Sequence, residues 1–438
     1  MISPSLHSLL AIDVPPLLAA LLSAVVCGLL GNWLVLRRMS LMGDAMSHAV
    51  LPGIVTAFIV TGSRAPLPMF LGALIAGGAT ALFSSLVRRH ARVDSGAAMG
   101  VVFTSMFALG VLLIEQASAR QVDLDPDCVL YGSLETLFWF PPSTWHELLQ
   151  MSTFAAIPTP IKTLVCVTAA AAVVTRLLRK ELALASFDPE LATSLGFRAG
   201  WLHGVLMLLV AAATVASFEA VGSILVVAML ICPAATARMW TDRLRTQIRL
   251  SVVFACIAAI GGYLAAVTAP HWLGTSHALN AAGSISVMAG VVLGLSAFLS
   301  PAHGIVAQWW RRRALAQRVT REDVLALLFR LWERGIETAD EQQLRASLGA
   351  TAVRDGIRDA LRAGEIARDG PRYRLAGRGL EHARSIVRSH RLWESYLVEE
   401  VGLSADHVHA TAEQLEHVRE ALPSPPHRES DPHGRAVP

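Results

Sequence analysis

Apolar stretches long enough to cross about 30 Å of hydrocarbon recur along the first 300 residues. They lie near 15–36, 42–62, 66–87, 96–117, 161–178, 201–217, 220–238, 248–268 and 281–299. Within 201–238, Glu219 separates two short runs, which read as two spans or as one broken unit. The segment 119–160 is too polar and Pro-rich to span, and its Phe138, Trp139 and Trp145 predict an interfacial stretch. Beyond residue 300 the period shortens. Helices are predicted over 321–334, about 339–348 and 351–363, the last closed by Gly364, and Arg368 to Leu375 reads as a two-stranded turn. Three helices followed by a basic hairpin give a winged helix-turn-helix outline. Two further helices follow within 379–421, and Leu422–Pro438, with five prolines and no apolar period, predicts a disordered end in which His427 and His433 are solvated.

Composition agrees with that division. Hydrophobic residues make up 53% of the 438-residue chain and charged residues only 16%, where soluble domains carry about a quarter charged residues. Asp and Glu number 14 in residues 1–300 and 20 in 301–438, so a polytopic membrane part precedes a water-soluble tail. A secreted, disulfide-built or disordered chain is excluded: four of the five cysteines lie in apolar runs and Cys128 stands alone. The expected segments are a membrane domain 1–300, a basic juxtamembrane linker 301–317, a winged-helix-like domain 318–378, a helical domain 379–421 and the tail end 422–438.

Loop charge sets the orientation. With the N-terminus outside, thirteen Arg and Lys fall in inner loops and three in outer loops, and nine spans deliver the tail to the cytoplasm. Residues 1–14 hold no Lys or Arg, so no signal-peptide n-region is present and the first span is expected to be retained.

Intramembrane polar groups are costly, which makes the exceptions informative. Asp44 and Glu219 are the carboxylates well inside the apolar runs. Asp44 and His48 stand four apart, on one helical face. A carboxylate beside an imidazole suits Mn²⁺, Fe²⁺ or Zn²⁺, but the two can equally satisfy each other across one turn, and spacing leaves these readings even. Pro52 and Gly53 can break the helix and line a cavity with free carbonyls.

The run Arg37-Arg38-Met39-Ser40-Leu41-Met42-Gly43-Asp44-Ala45-Met46-Ser47-His48-Ala49-Val50-Leu51-Pro52-Gly53 resembles the signature of ABC-type permeases that import manganese, zinc or iron. Phe187-Asp188-Pro189-Glu190-Leu191-Ala192 with Leu195-Gly196 is similar to that family's cytoplasmic coupling segment, and Gly222 to Ala237 to its late-span motif. The resemblance covers about 15–300. It implies that Asp44, His48 and Glu219 lie on a transport path and that Asp188, Pro189, Glu190, Leu191, Leu195 and Gly196 dock on an ABC ATPase subunit. It also implies an extracytoplasmic metal-binding protein and a second permease copy or paralogue as partners in the bilayer. From the residues alone, Asp188 can cap a helix with Pro189 at its first position. Neither of the two lysines, Lys162 and Lys180, ends a glycine-rich phosphate loop, so no ATP site is expected in this chain.

The tail carries its own chemistry. His390 and Glu394 share one helical face, and His409, Glu413, Glu416 and His417 share a face of a second helix. Two such faces could hold one or two divalent ions; a solvated charged helix pair is the plainer reading, and six ligand-type residues weigh against it. Arg388 to Glu394, Val408-His409 and Glu413 to His417 resemble the metal-binding and dimerisation domain of the diphtheria toxin repressor family, over about 320–420. By that resemblance His390, Glu394 and His409 form one metal site and Glu413, Glu416 and His417 part of another. An acid at position 413, where iron-type members carry Cys, leans towards Mn²⁺, with Zn²⁺ and Fe²⁺ as alternatives. Asp323 fits one further acid of the second site, but Ala326 takes the place of another. The winged helix-turn-helix outline can be a DNA reader or a protein-binding module, and eleven Arg against ten acids over 320–378 favour the second over a nucleic-acid partner.

The fold class expected is an all-α polytopic membrane protein of about nine transmembrane helices, followed by a small cytoplasmic winged-helix and helical metal-binding domain. The function expected is the permease subunit of an ATP-binding-cassette importer for divalent transition metals in the cell membrane, with a metal-sensing tail. A membrane-tethered metal-responsive regulator and a proton-coupled carrier are the alternatives. No activated nucleophile or acid–base pair emerges, so the chain is not read as an enzyme.

Overall fold

The computed structural model describes residues 10–39, 42–63, 65–118, 134–139, 156–274, 279–415, 417 and 430–438. The chain divides into two compact units, Met1–Ala307 and Gln308–Pro438.

The first unit is a helical bundle: α1 Val14–Leu36, α2 Met42–Ala49, α3 Leu51–Thr61, α4 Pro66–Ala91, α5 Ser95–Ser118, α6 Thr159–Leu177, α7 Arg179–Phe187, α8 Pro189–Ser194, α9 Ala199–Val221, α10 Ser223–Trp240, α11 Leu244–Leu273 and α12 Ala281–Leu299. Among the described residues eight helices are long and apolar enough to cross a membrane, and Leu51–Thr61 is a shorter apolar one. The stretch 42–62, expected as one span, is thus divided at Val50 into α2 and α3. Pro52 and Gly53 lie in the first turn of α3, where the Pro52 carbonyl accepts from Thr56 Oγ1 at 2.6 Å. The bare Cα of Gly53 faces the Gly72 carbonyl, which brings α3 and α4 into close crossing. In 201–238 the break falls not at Glu219 but at Gly222, whose φ of 82° is open to glycine, so Glu219 completes the last turn of α9. Of the expected interfacial stretch 119–160, residues 134–139 and 156–160 lie within the described residues, the latter leading into α6. In the former, Leu134 and Leu137 are buried, and Trp139 N–H donates to the Ala11 carbonyl at 3.2 Å.

The core of the unit surrounds α1, which packs on α6, α9, α10 and α11 and buries Leu30, Trp33 and Leu34. Small residues make the approach close. Gly31 lies against the Leu230 carbonyl of α10, and Gly28 against Ser251 and Ala255 of α11. Asn32, fully buried, donates to Ser251 Oγ at 2.5 Å and to the Gly28 carbonyl at 2.7 Å.

In the second unit, α13 (Ile305–Glu333, entering from the first) is followed by β1 Ala339–Asp340, α14 Glu341–Leu348, α15 Ala350–Arg362, β2 Ile366–Asp369, β3 Arg372–Leu375, α16 Gly377–Glu399 and α17 His409–Leu415. The sequence predicts two strands; a third joins them, in order β1-β3-β2, both pairs antiparallel. Asp340 and Gln343 form a capping box that starts α14. Val324, Leu328, Phe329, Val353, Ile357 and Ala383 supply the core of this winged helix. The expected disordered end also differs. Residues 421–429 lie outside the described set, but 430–438 form a turn closed by a Ser430–Ala436 bridge. Asp431 accepts from the His433 and Arg435 amides there. Its buried carboxylate lies 3.8 Å from Arg391, which also grips Glu333 at 2.6 Å, so the counter-charge that orders the turn comes from α16.

A methyl group at Gly31 would collide with the Leu230 backbone, and overpacking of this kind costs about 1–3 kcal/mol. Gly31→Ala is therefore expected to lower the thermal midpoint of the purified full chain by several degrees. Gly204→Ala, where a Cβ meets open space, should leave it near the native value; equal behaviour of the two would refute this account of the core.

Candidate metal centre

The geometry of the tail centre begins with α16. Its helical repeat places His390 and Glu394 one turn apart, both facing inward: His390 is 3% exposed and Glu394 1%. The loop after α16 returns the chain so that α17 opens at His409. Val408 and Ala412, fully buried, pack on Trp393 and Leu397 and fix α17 against α16. The three side chains then meet. Glu394 Oε1 lies 3.1 Å from His390 Nε2 and 2.8 Å from His409 Nδ1, and the two ring nitrogens are 3.0 Å apart. Among the described residues this is the group of His, Cys, Asp and Glu gathered closely enough to share an ion.

Two imidazole nitrogens and a carboxylate oxygen are a donor set for a borderline divalent cation. Ligand atoms about 2.1 Å from a metal are about 3.0 Å apart along an octahedral edge and about 3.4 Å along a tetrahedral one. The observed separations match the octahedral edge, so the trio fits an ion with little rearrangement. Without one, a shared proton can hold the three together, and ion entry would release it. Burial alone would raise the Glu394 carboxyl, but hydrogen bonds from His390 and His409, with their charge, bring it down to about 2. His409 is half exposed and gives the centre its open side.

The other expected tail ligands are arranged differently. Glu413 is exposed on α17, and Glu416 lies outside the described residues. His417 is buried and turned to α13, with Nδ1 2.7 Å from Glu322 and Nε2 3.2 Å from Asp323. Ala326, the missing acid of the second site, is packed into the core. Glu322 was not singled out by the sequence reading. Its signal was position: it stands three, four and seven residues before buried Leu325, Ala326 and Phe329, a charged residue on an apolar stripe. Burial acts to raise the Glu322 carboxyl, but His417, Arg318 and His382 hold it below the ordinary range. On α15, Arg358 pairs with Asp355 and Arg362 with Asp359, so these two arginines are engaged by acids of their own helix.

In the first unit, Asp44 and His48 lie on α2, and their side chains are outside the described set. The helix itself packs on α5, α9 and α10, and α9 carries half-buried Glu219 in its last turn. The Phe187–Gly196 segment follows its expectation closely. Asp188 is extended and caps α8 by accepting from the Leu191 amide at 2.9 Å, with Pro189 at the first position. Gly196 ends it with φ 88°. Ala192 is buried beneath, while Phe187, Leu191 and Leu195 are 67%, 46% and 60% exposed and Glu190 is solvent-facing. The short capped helix thus leaves three large apolar side chains uncovered.

Comparison with known proteins bears on both units. The model of the ABC 3 transport family matches residues 12–141 and 158–282. The iron dependent repressor, metal binding and dimerisation domain, matches residues 377–421. The manganese transport system membrane protein MntD of Bacillus subtilis is 39% identical over 66% of this chain and 92% of its own length. The zinc transport system membrane protein TroD of Treponema pallidum is 35% identical over 84% of this chain and 97% of its own. Among solved structures, PsaBC from Streptococcus pneumoniae in complex with Fab is 30% identical, with a TM-score of 0.52, over 66% of this chain and 92% of that one.

The lowered Glu394 carboxyl gives a pH prediction. A depressed carboxylate stabilises the fold above its ordinary value of 4.5, and that contribution is lost as pH falls towards about 2. Metal-free tail stability should therefore decline across this window in the full chain, and Glu394→Gln should flatten the decline; an unchanged slope in the variant would remove Glu394 from the account.

Proposed function

The chain belongs to the ABC 3 transport family, and on that premise we propose that it is the permease subunit of an importer of divalent transition metal ions whose tail senses the imported metal. Mn²⁺ is the preferred cargo, with Zn²⁺ and Fe²⁺ as alternatives. The observation that carries the sensing role is the closed His390, Glu394 and His409 trio, in the segment that matches a repressor's metal-binding domain and in one chain with a multi-pass membrane unit.

In this reading Asp44 and His48 bind the ion on its path, with Glu219 near the same helix packing. A carboxylate and an imidazole offset the loss of hydration without holding the ion irreversibly. An ATPase subunit supplies the energy by docking on Phe187–Gly196, an extracytoplasmic metal-binding protein delivers cargo, and a second permease copy or paralogue completes the pathway. The N-terminus faces outside and the tail faces the cytoplasm, an orientation that the excess of Arg and Lys in the inner loops supports. Rising cytoplasmic metal fills the trio, and occupancy restrains transport by favouring one arrangement of the tail over another. Arg358 and Arg362 of α15, paired with acids of the same helix, support a tail that acts on the transporter, rather than on nucleic acid.

Two experiments test this. Asp44→Ala and His48→Ala should each cut Mn²⁺ uptake at least about tenfold, the loss of about 1.4 kcal/mol or more, while the assembled complex persists; normal uptake by the double variant would defeat the path assignment. Uptake by the full chain should fall about 5-fold or more when internal Mn²⁺ is high, whereas a chain ending at Gln317 should ignore it. Identical responses from the two would show that the tail is no inhibitory sensor.

A further inference from the structure

Arg37 follows α1 directly, and its amide is bonded to the Trp33 carbonyl at 3.2 Å. From this anchored position its half-buried guanidinium reaches two other helices. Nε donates to Ser186 Oγ at 2.9 Å, and Nη1 lies 2.9 Å from His203 Nδ1. Arginine only donates, so Nδ1 is the acceptor and the His203 ring proton sits on Nε2. Ser186 is near the end of α7 and His203 near the start of α9. The two partners therefore bracket the exposed, capped segment Phe187–Gly196 on both sides. In the other direction along the chain, Arg37 is followed by buried Met39 and then by α2, which carries Asp44 and His48.

Beside this junction is a cavity of about 670 Å³ lined by Arg37, Ser85, Arg88, Ser186, Pro189 and His203. The stems of the segment thus have space to move on one side and a fixed cation on the other. Arg37 Nη2 is buried without an acceptor among the described residues, so the guanidinium has donor capacity beyond the two bonds it makes. Because the fork is planar and rigid, displacing α7 relative to α9 must break one bond or drag Arg37 with it. Dragging Arg37 moves the end of α1 and the start of α2.

We propose that Arg37 is the positioning residue that carries displacement of the Phe187–Gly196 segment to α1 and α2, and so to Asp44 and His48. This rests on the reading of that segment as the ATPase docking element. A residue with a purely structural role would, when replaced, lower ATP hydrolysis and transport together. A transmitting residue lowers transport at a given hydrolysis rate.

The test uses the full chain assembled with its ATPase subunit in proteoliposomes, with Mn²⁺ uptake and ATP hydrolysis measured in the same vesicles. Arg37→Ala should leave hydrolysis within about twofold and reduce ions moved per ATP about tenfold, within the usual range of site-to-site coupling. Arg37→Lys, a point charge without the fork, should recover only part of the ratio. Arg37→Ala combined with His203→Ala should be no worse than Arg37→Ala. An unchanged ratio, or a proportional fall in both activities, overturns the proposal. Should Arg37→Ala fail to assemble, Ser186→Ala removes one of the two bonds and is judged by the same two outcomes. Crosslinking from a cysteine at Glu190 to the ATPase separates the underlying reading: without that crosslink in the otherwise native complex both fall, whereas a crosslink with an unchanged ratio removes the role of Arg37 alone.

Discussion

Asn32 sits fully buried in α1 and gives its amide hydrogens to Ser251 Oγ and the Gly28 carbonyl. Where water is excluded, such a group must find its partners within the protein. That requirement fixes the distance and rotation of α11 against α1. The close approach of α11 depends on Gly28, and that of α10 on Gly31, where no side chain stands between the helices. Leucine against lipid gives little preference for one packing over another, so a polar bond and a pair of glycines specify what apolar area cannot. The surrounding helices inherit their places from this contact: α10 through Leu230, and α9 and α6 through the rest of the α1 surface.

The tail solves a related problem by a different route. Glu394 is as deeply buried as the apolar residues around it, and a lone carboxylate there would be strongly unfavourable. His390 and His409 offset that cost by converging on one oxygen. The arrangement is satisfied in itself, yet its spacing is that of ligands around an ion. A centre with these two ways of being satisfied is suited to a sensor, since ion and proton compete for the same donors. His417 illustrates the contrast. With both ring nitrogens beside carboxylates of α13, it joins the winged helix to the end of the tail.

Much of the candidate chemistry was legible in residue spacing. The repeat of 3.6 puts His390 beside Glu394 whatever surrounds them, and an Asp-Pro pair announces the start of α8 because the side chain caps while the ring fits the first turn. What spacing could not supply was the meeting of α16 with α17. That depends on Val408 and Ala412 packing against Trp393 and Leu397, a long-range contact with no local signature. Glu322 carries a local signal, a charge on an apolar stripe, but its pairing with His417, 95 residues away, has none.

The sequence by itself determined that this chain has an apolar helical unit and a polar tail, and where most of the helices run, because hydrocarbon thickness and helical periodicity act on each segment independently. It also marked His390, Glu394 and His409 as candidate ligands, since ligand-type residues at short spacing are visible in the chain itself. The structure realises at Val50 the helix break that Pro52 allows, and it decided the place of Gly222 as the break after α9. It decided the ordering of 430–438 by Arg391 and the clasp of Arg37 on Ser186 and His203. The last two depend on partners remote in the chain. A buried charge or a helix break is settled by whichever group can reach it, and only the packed bundle fixes which groups can.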